Sequence, residues 1–167
     1  NLHSSKVFYE NALDGMNYYL RVQASGVFNK DSLGIHSDVF FNSTNLDPNI
    51  GRYEALKYSG KFKIVENNEM LNKIILLHES DFKRIEYLNE MYYQHNKDME
   101  KLIARMIEFD KSGRMKNGER IVTNGEFRLE LLTGKGLVTN NIIPIHEASI
   151  KECNEIIAEI NKELGQD

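Results

Sequence analysis

Between Asn67 and Asp110 the chain carries neither proline nor glycine, and its apolar residues recur in heptads. One seam position is taken by Leu71, His78, Ile85, Tyr92, Met99 and Met106. Three residues on come Ile74, Asp81, Leu88, His95, Leu102 and Phe109. Only His78, Asp81 and His95 interrupt the apolar pattern, and Ile75, Phe82 and Ile103 widen it. A strand would send such residues to both faces. The spacing therefore predicts one continuous helix, roughly 66 Å long at 1.5 Å per residue. Asn67 or Asn68 can cap its start, and Gly113 can end it in a left-handed turn. The other reading is a hairpin broken near Gln94 to Asn96. Only Asn96 there tolerates positive φ, which favours the single rod.

A rod with one greasy edge needs cover, and two further stripes offer it. Ile143, Ile150, Cys153, Ile157, Ile160 and Leu164 mark a C-terminal helix that starts at Asn140 or Asn141, with Pro144 in its first turn. From Ser4 to Ser25, Tyr9, Leu13, Met16 and Leu20 share a face, with Tyr19 beside them and Gly26 as a stop. Asn45-Leu46-Asp47-Pro48 reads as a turn into a short helix at Ile50 to Tyr58, closed by Ser59-Gly60. Lys61 to Val65 alternates but has no partner strand, so a short helical or extended connector is expected. Glu126 to Leu132 gives another short helix, with Gly134-Lys135-Gly136 as a break after it. That tripeptide is too short for a phosphate loop. These elements predict an all-α fold, an elongated antiparallel bundle built around one long central helix, with residues 1–167 as a single domain.

Composition narrows the function classes. The 167 residues carry a net charge of −4, and an acidic balance argues against nonspecific nucleic-acid binding. A single cysteine, Cys153, excludes an intramolecular disulfide and a CxxC zinc site, and its place on an apolar seam reads as packing. No cofactor motif is present. Lys111, Arg114, Lys116 and Arg120 form a basic loop that reads as solvated, or as a contact for a phosphate or lipid head group. Asn42-Ser43-Thr44 is a formal glycosylation sequon.

Two HxxD pairs, His78 with Asp81 and His95 with Asp98, carry metal-ligand spacing. On one helix they lie roughly 26 Å and about 260° apart, so one ion cannot bridge them. HExxH is absent, because position 82 is Phe82. A metal-binding or enzymatic bundle using His78, Asp81, His95 and Asp98 is the alternative function. The plainer reading makes both histidines hydrogen-bonded seam residues. Tyr92 and His95 are the candidates for lining a small-molecule pocket, with amphipathic core as the competing role.

The segment Tyr53 to Leu71, with its Leu56-Lys57-Tyr58-Ser59-Gly60 helix end and Asn67 helix start, resembles a motif in a family of uncharacterised bacterial proteins. Those proteins have one N-terminal membrane-spanning helix and a soluble helical domain. Asn124 to Leu132 and the final helix are similar to that family's C-terminal half, so the resemblance covers residues 50 to 165. It brings no catalytic residues. It implies a membrane-anchored, extracytoplasmic helical domain for sensing or protein interaction, reaching the membrane through a segment ahead of Asn1. A protein partner or self-association is expected, and a cytoplasmic interaction protein is the rival.

Overall fold

The computed structural model describes residues 1–27, 36, 40–46, 48, 50–113 and 116–165. Among these, helices dominate and there is no β-strand. Helix α1 spans Leu2–Ser25. Asn1 caps it by accepting from the Ser4 N–H at 3.0 Å, and Gly26 ends it at φ 66°. Helix α2 is Ile50–Tyr58, closed by Gly60 at φ 68°, and a 3₁₀ turn at Lys61–Ile64 follows, so the alternating stretch is a connector.

The first rod then begins. Helix α3, Asn68–Leu76, passes through a π turn at Leu77–Asp81 into α4, Phe82–Met106. The Asn67 side chain caps it, accepting from the Met70 N–H at 3.1 Å. The expected rod is continuous and roughly 58 Å long. It stops at Met106, before Gly113. Asn117 intervenes, donating to the Met106 carbonyl and accepting from the Glu108 N–H, a distant side chain acting as the C-terminal cap.

Helix α5, Gly118–Val122, leads to the second rod: α6, Gly125–Leu137, a π turn at Val138–Ile142, and α7, Ile143–Glu163. The expected break at Gly134-Lys135-Gly136 and the expected new start at Asn140 or Asn141 are both corrected here. The helix runs through all three residues. Gly134 is small because α4 lies against it: a Cβ there would sit 2.5 Å from His95 Nε2. Gly136 faces open space. Pro144 supplies no N–H to the ladder, and the wide turn just ahead of it is where that loss falls.

Both rods keep their buried face by the same irregular count. In the first, Met70, Leu77, Ile85, Tyr92 and Met99 are buried, in steps of seven, eight, seven and seven. In the second, Phe127, Gly134, Ile142, Ser149 and Ile156 repeat those steps. The step of eight falls at each π turn, where the N–H of Phe82 reaches Leu77 and that of Ile143 reaches Val138. One inserted residue rephases the helix. A strict heptad would bury Arg84 and Asn141, which are exposed.

The seams read from the sequence are therefore one residue out of phase in places. Ahead of the first π turn, Met70 and Leu77 are buried where Leu71 and His78 were expected. At the C-terminus the expected seam of Ile157, Ile160 and Leu164 is exposed at 55%, 36% and 63%, while the neighbouring row through Ser149 and Ile156 is covered. Counting apolar residues chose the wrong row because the true one contains His146 and Ser149.

Cross-helix contacts fix direction. Lys73 meets Glu159 at 2.6 Å and His95 meets Glu130 at 3.3 Å, so the two rods are antiparallel. Lys6 meets Glu147, and Lys135 donates to Asn17, so α1 also runs against the second rod and alongside the first. The main core gathers Tyr9, Met16 and Tyr19 of α1, Tyr92 and Met99 of α4, and Phe127, Leu131 and Ile142 of the second rod. Phe40 closes over it, 5.5 Å from the Phe127 ring.

Candidate functional site

Three polar places interrupt this apolar interior, and each candidate from the sequence falls at or near one of them. The deepest joins three helices. Tyr9 donates from its hydroxyl to Asn89 Oδ1 at 2.6 Å, and its ring lies 5.6 Å from that of His146. The His146 Nδ1–H donates to the Ile142 carbonyl at 2.9 Å, on the last residue of the second π turn. Asn89 Nδ2, His146 Nε2 and Ser149 Oγ are buried without a protein partner. Burial holds the His146 imidazole below its usual pKa and pushes the Tyr9 phenol up.

The second place is where the rods cross. His95 faces Glu130 through Nδ1, while Nε2 is pressed against Gly134. A histidine oriented by a carboxylate is half of a catalytic dyad, but such a base needs its other nitrogen free to meet substrate. Here that nitrogen faces backbone, and the side chain is only 11% exposed. Burial lowers the His95 pKa against the pull of Glu130. Tyr92 beside it is fully buried between Phe8, Tyr9 and His95, its phenol pushed up to about 12 by the same desolvation. Asp98, the second member of its HxxD pair, is exposed and pairs with Lys101 at 2.9 Å.

The third place opens to solvent. At the first π turn the His78 ring stacks on Tyr53 of α2, 4.1 Å apart and 4° from parallel, and meets Phe82 edge-on at 4.9 Å. Phe62 of the 3₁₀ turn stands 5.6 Å from Tyr53. Together with Pro48, Arg52, Leu56, Lys61, Val65 and Ile74, the rings of Tyr53, Phe62 and His78 line a groove of about 440 Å³, within the size range of small-molecule sites. His78 Nδ1 is buried and without a partner, and burial lowers the pKa of the ring. Beneath Tyr53, Glu79 accepts from Lys57 at 2.5 Å, from the Tyr53 hydroxyl at 3.0 Å and from Lys83 at 3.0 Å. These donors, Lys57 first, hold its carboxyl down to about 2. Asp81, at the end of the turn, is partly buried and its carboxyl is pushed up for that reason.

The two HxxD pairs are thus apart, as their spacing on one rod requires. Among the described residues no three His, Cys, Asp or Glu side chains gather as a metal site. Cys153 is half-buried and its thiol is raised, chiefly by that burial. Of the basic residues expected on a loop, Arg120 lies on α5 and pairs with Glu108 at 3.6 Å, and Arg114 lies outside the described residues. No described helix is long and apolar enough to cross a membrane.

Tyr53 and Phe62 were not singled out from the sequence as site residues. Nothing in the sequence pointed to them, because the π turn beside them shows only as a step of eight in the row the structure buries. No protein-family model matches this chain, no curated protein matches its sequence, and no solved structure matches its fold.

Proposed function

We propose that the chain is a noncatalytic sensing domain whose ligand site is the groove over the first π turn. One observation carries the reading: Tyr53 is the only buried residue of α2, and it is itself a wall of the groove. Anything that fills the groove acts on that residue. It also touches His78 at the irregular turn of a rod that runs the length of the bundle, an arrangement suited to carrying a small shift. The Glu79 carboxylate is already committed, tied to Tyr53, Lys57 and Lys83.

The test is amide exchange across residues 50–58 and 77–81 while a fragment set of small organic acids, amides and amines is screened. A binder of the groove slows exchange in both segments. Binders that leave both segments unchanged, or a set in which nothing binds, overturn the proposal. Tethering belongs to the same proposal and rests on the resemblance over residues 50 to 165. Its check is the coding sequence ahead of Asn1, where an apolar run of about 20 residues is expected.

A further inference from the structure

The groove over His78 has a charge pattern that a second open groove on the bundle lacks. In the second, between α1 and α7, the lining cation Lys6 is answered by Glu10 at 2.8 Å and by Glu147 at 3.3 Å. In the first, none of the described lining residues is acidic. Arg52 and Lys61 line it, both are exposed, and neither has an ion-pair partner among the described residues. Glu79, below the groove, is taken up by Lys57 and Lys83. Two unanswered cations therefore flank walls made of Tyr53, Phe62, Leu56, Val65 and Ile74, on a chain whose net charge is −4.

From this we infer that the groove takes a small organic carboxylate with an aromatic body. The ring lies among Tyr53, Phe62 and His78, and the carboxylate meets Arg52 and Lys61. The inference rests on the groove being the ligand site and adds the class of ligand. Aromatic walls favour a flat body through offset or edge-on ring contacts. A guanidinium matches a carboxylate's two oxygens, and an ammonium adds a second positive donor. An amine of the same shape would place its charge between two like charges.

The experiment compares 3-phenylpropionate with 3-phenylpropionamide and 3-phenylpropylamine by titration calorimetry on the whole chain, with octanoate as the aliphatic arm. The carboxylate is expected to bind at least tenfold more tightly than the amide, and the amine not at all. Arg52→Ala and Lys61→Ala, both at exposed positions, should each weaken it several-fold without moving the melting temperature. Leu56→Trp should fill the groove and abolish binding. If the amide or amine binds as well as the carboxylate and Leu56→Trp abolishes that binding, the ligand class is overturned while the site stands. If octanoate outbinds 3-phenylpropionate, the aromatic body is overturned. If none of the four binds, or binding survives Leu56→Trp, the site falls together with the ligand class.

Discussion

At residues 77–81 the first rod widens by one residue beside an open groove; at residues 138–142 the second rod widens by one residue with Val138 and Ile142 turned into the core. The local device is the same, and so is the spacing of buried residues around it. What differs is what lies against it. The second turn hands its Ile142 carbonyl to His146 and packs Val138 and Ile142 completely away from solvent. The first leaves His78 half-buried under one aromatic ring of a lightly attached helix. The comparison teaches that a helix irregularity becomes a site only where the neighbouring layer is thin. It also separates two causes. Pro144 gives the second turn a backbone reason to exist, while no proline stands near the first.

Deletions test that separation most severely. Removing Glu90, in the regular part of α4, turns every buried residue beyond it by about 100° and should abolish cooperative unfolding. Removing Ser80 instead converts steps of seven and eight into an even heptad, so the rod should still melt cooperatively while the groove loses its ligand. Removing Asn140 also evens the heptad but leaves Pro144 in a regular helix, at a cost of about 3 kcal/mol. Thermal unfolding followed by circular dichroism ranks the three. Equal losses for the Ser80 and Asn140 deletions would refute the assigned role of Pro144.

The crossing between the turns gives the next effect. Gly134→Ala pushes a methyl into His95 and should cost about 1–3 kcal/mol. Gly136→Ala, in open space, should gain about 0.5–1 kcal/mol from helix propensity. In the double variant Gly134→Ala with His95→Ala the losses should fall short of additive by more than about 0.5 kcal/mol. Additive losses would mean that the two side chains do not share the crossing.

The smallest effect is in pH. His78, His95 and His146 all have pKa values lowered by burial, so the unfolded chain binds more protons than the folded one. Their stability is present in full above about 6.5 and drains away as the pH falls from there toward the folded values. Glu79, held near 2, keeps its contribution until the pH falls below the ordinary carboxylate range, around 4. Melting temperature should therefore decline between pH 7 and pH 5. His146→Gln should flatten that slope more than a change at exposed His3. An unchanged slope would place the buried ring's titration elsewhere.

Much of this architecture is legible in the chain. The rod from Asn68, its Asn67 cap, the Gly26 and Gly60 stops and the all-α bundle follow from heptad spacing and from the few residues that tolerate special backbone angles. These are local effects, set within a turn or two. The site was far less legible. His78 was a candidate, but as a metal ligand paired with Asp81, and Tyr92 with His95 marked a pocket at a place where Tyr92 is fully buried and the His95 side chain nearly so. Tyr53, Phe62 and His78 are separated in sequence and share a groove only because α2 folds back on the rod.

The sequence by itself determined that the fold is helical and where α1, α2 and the first rod begin, because caps and periodicity act over neighbouring residues. Tertiary structure alone decided the phase of each buried row, the continuity of the helix through Gly134, and the exposure of Ile157, Ile160 and Leu164. Those depend on which backbone comes close enough to exclude a side chain, and on one extra residue in each rod that turns the covered face back toward its neighbours.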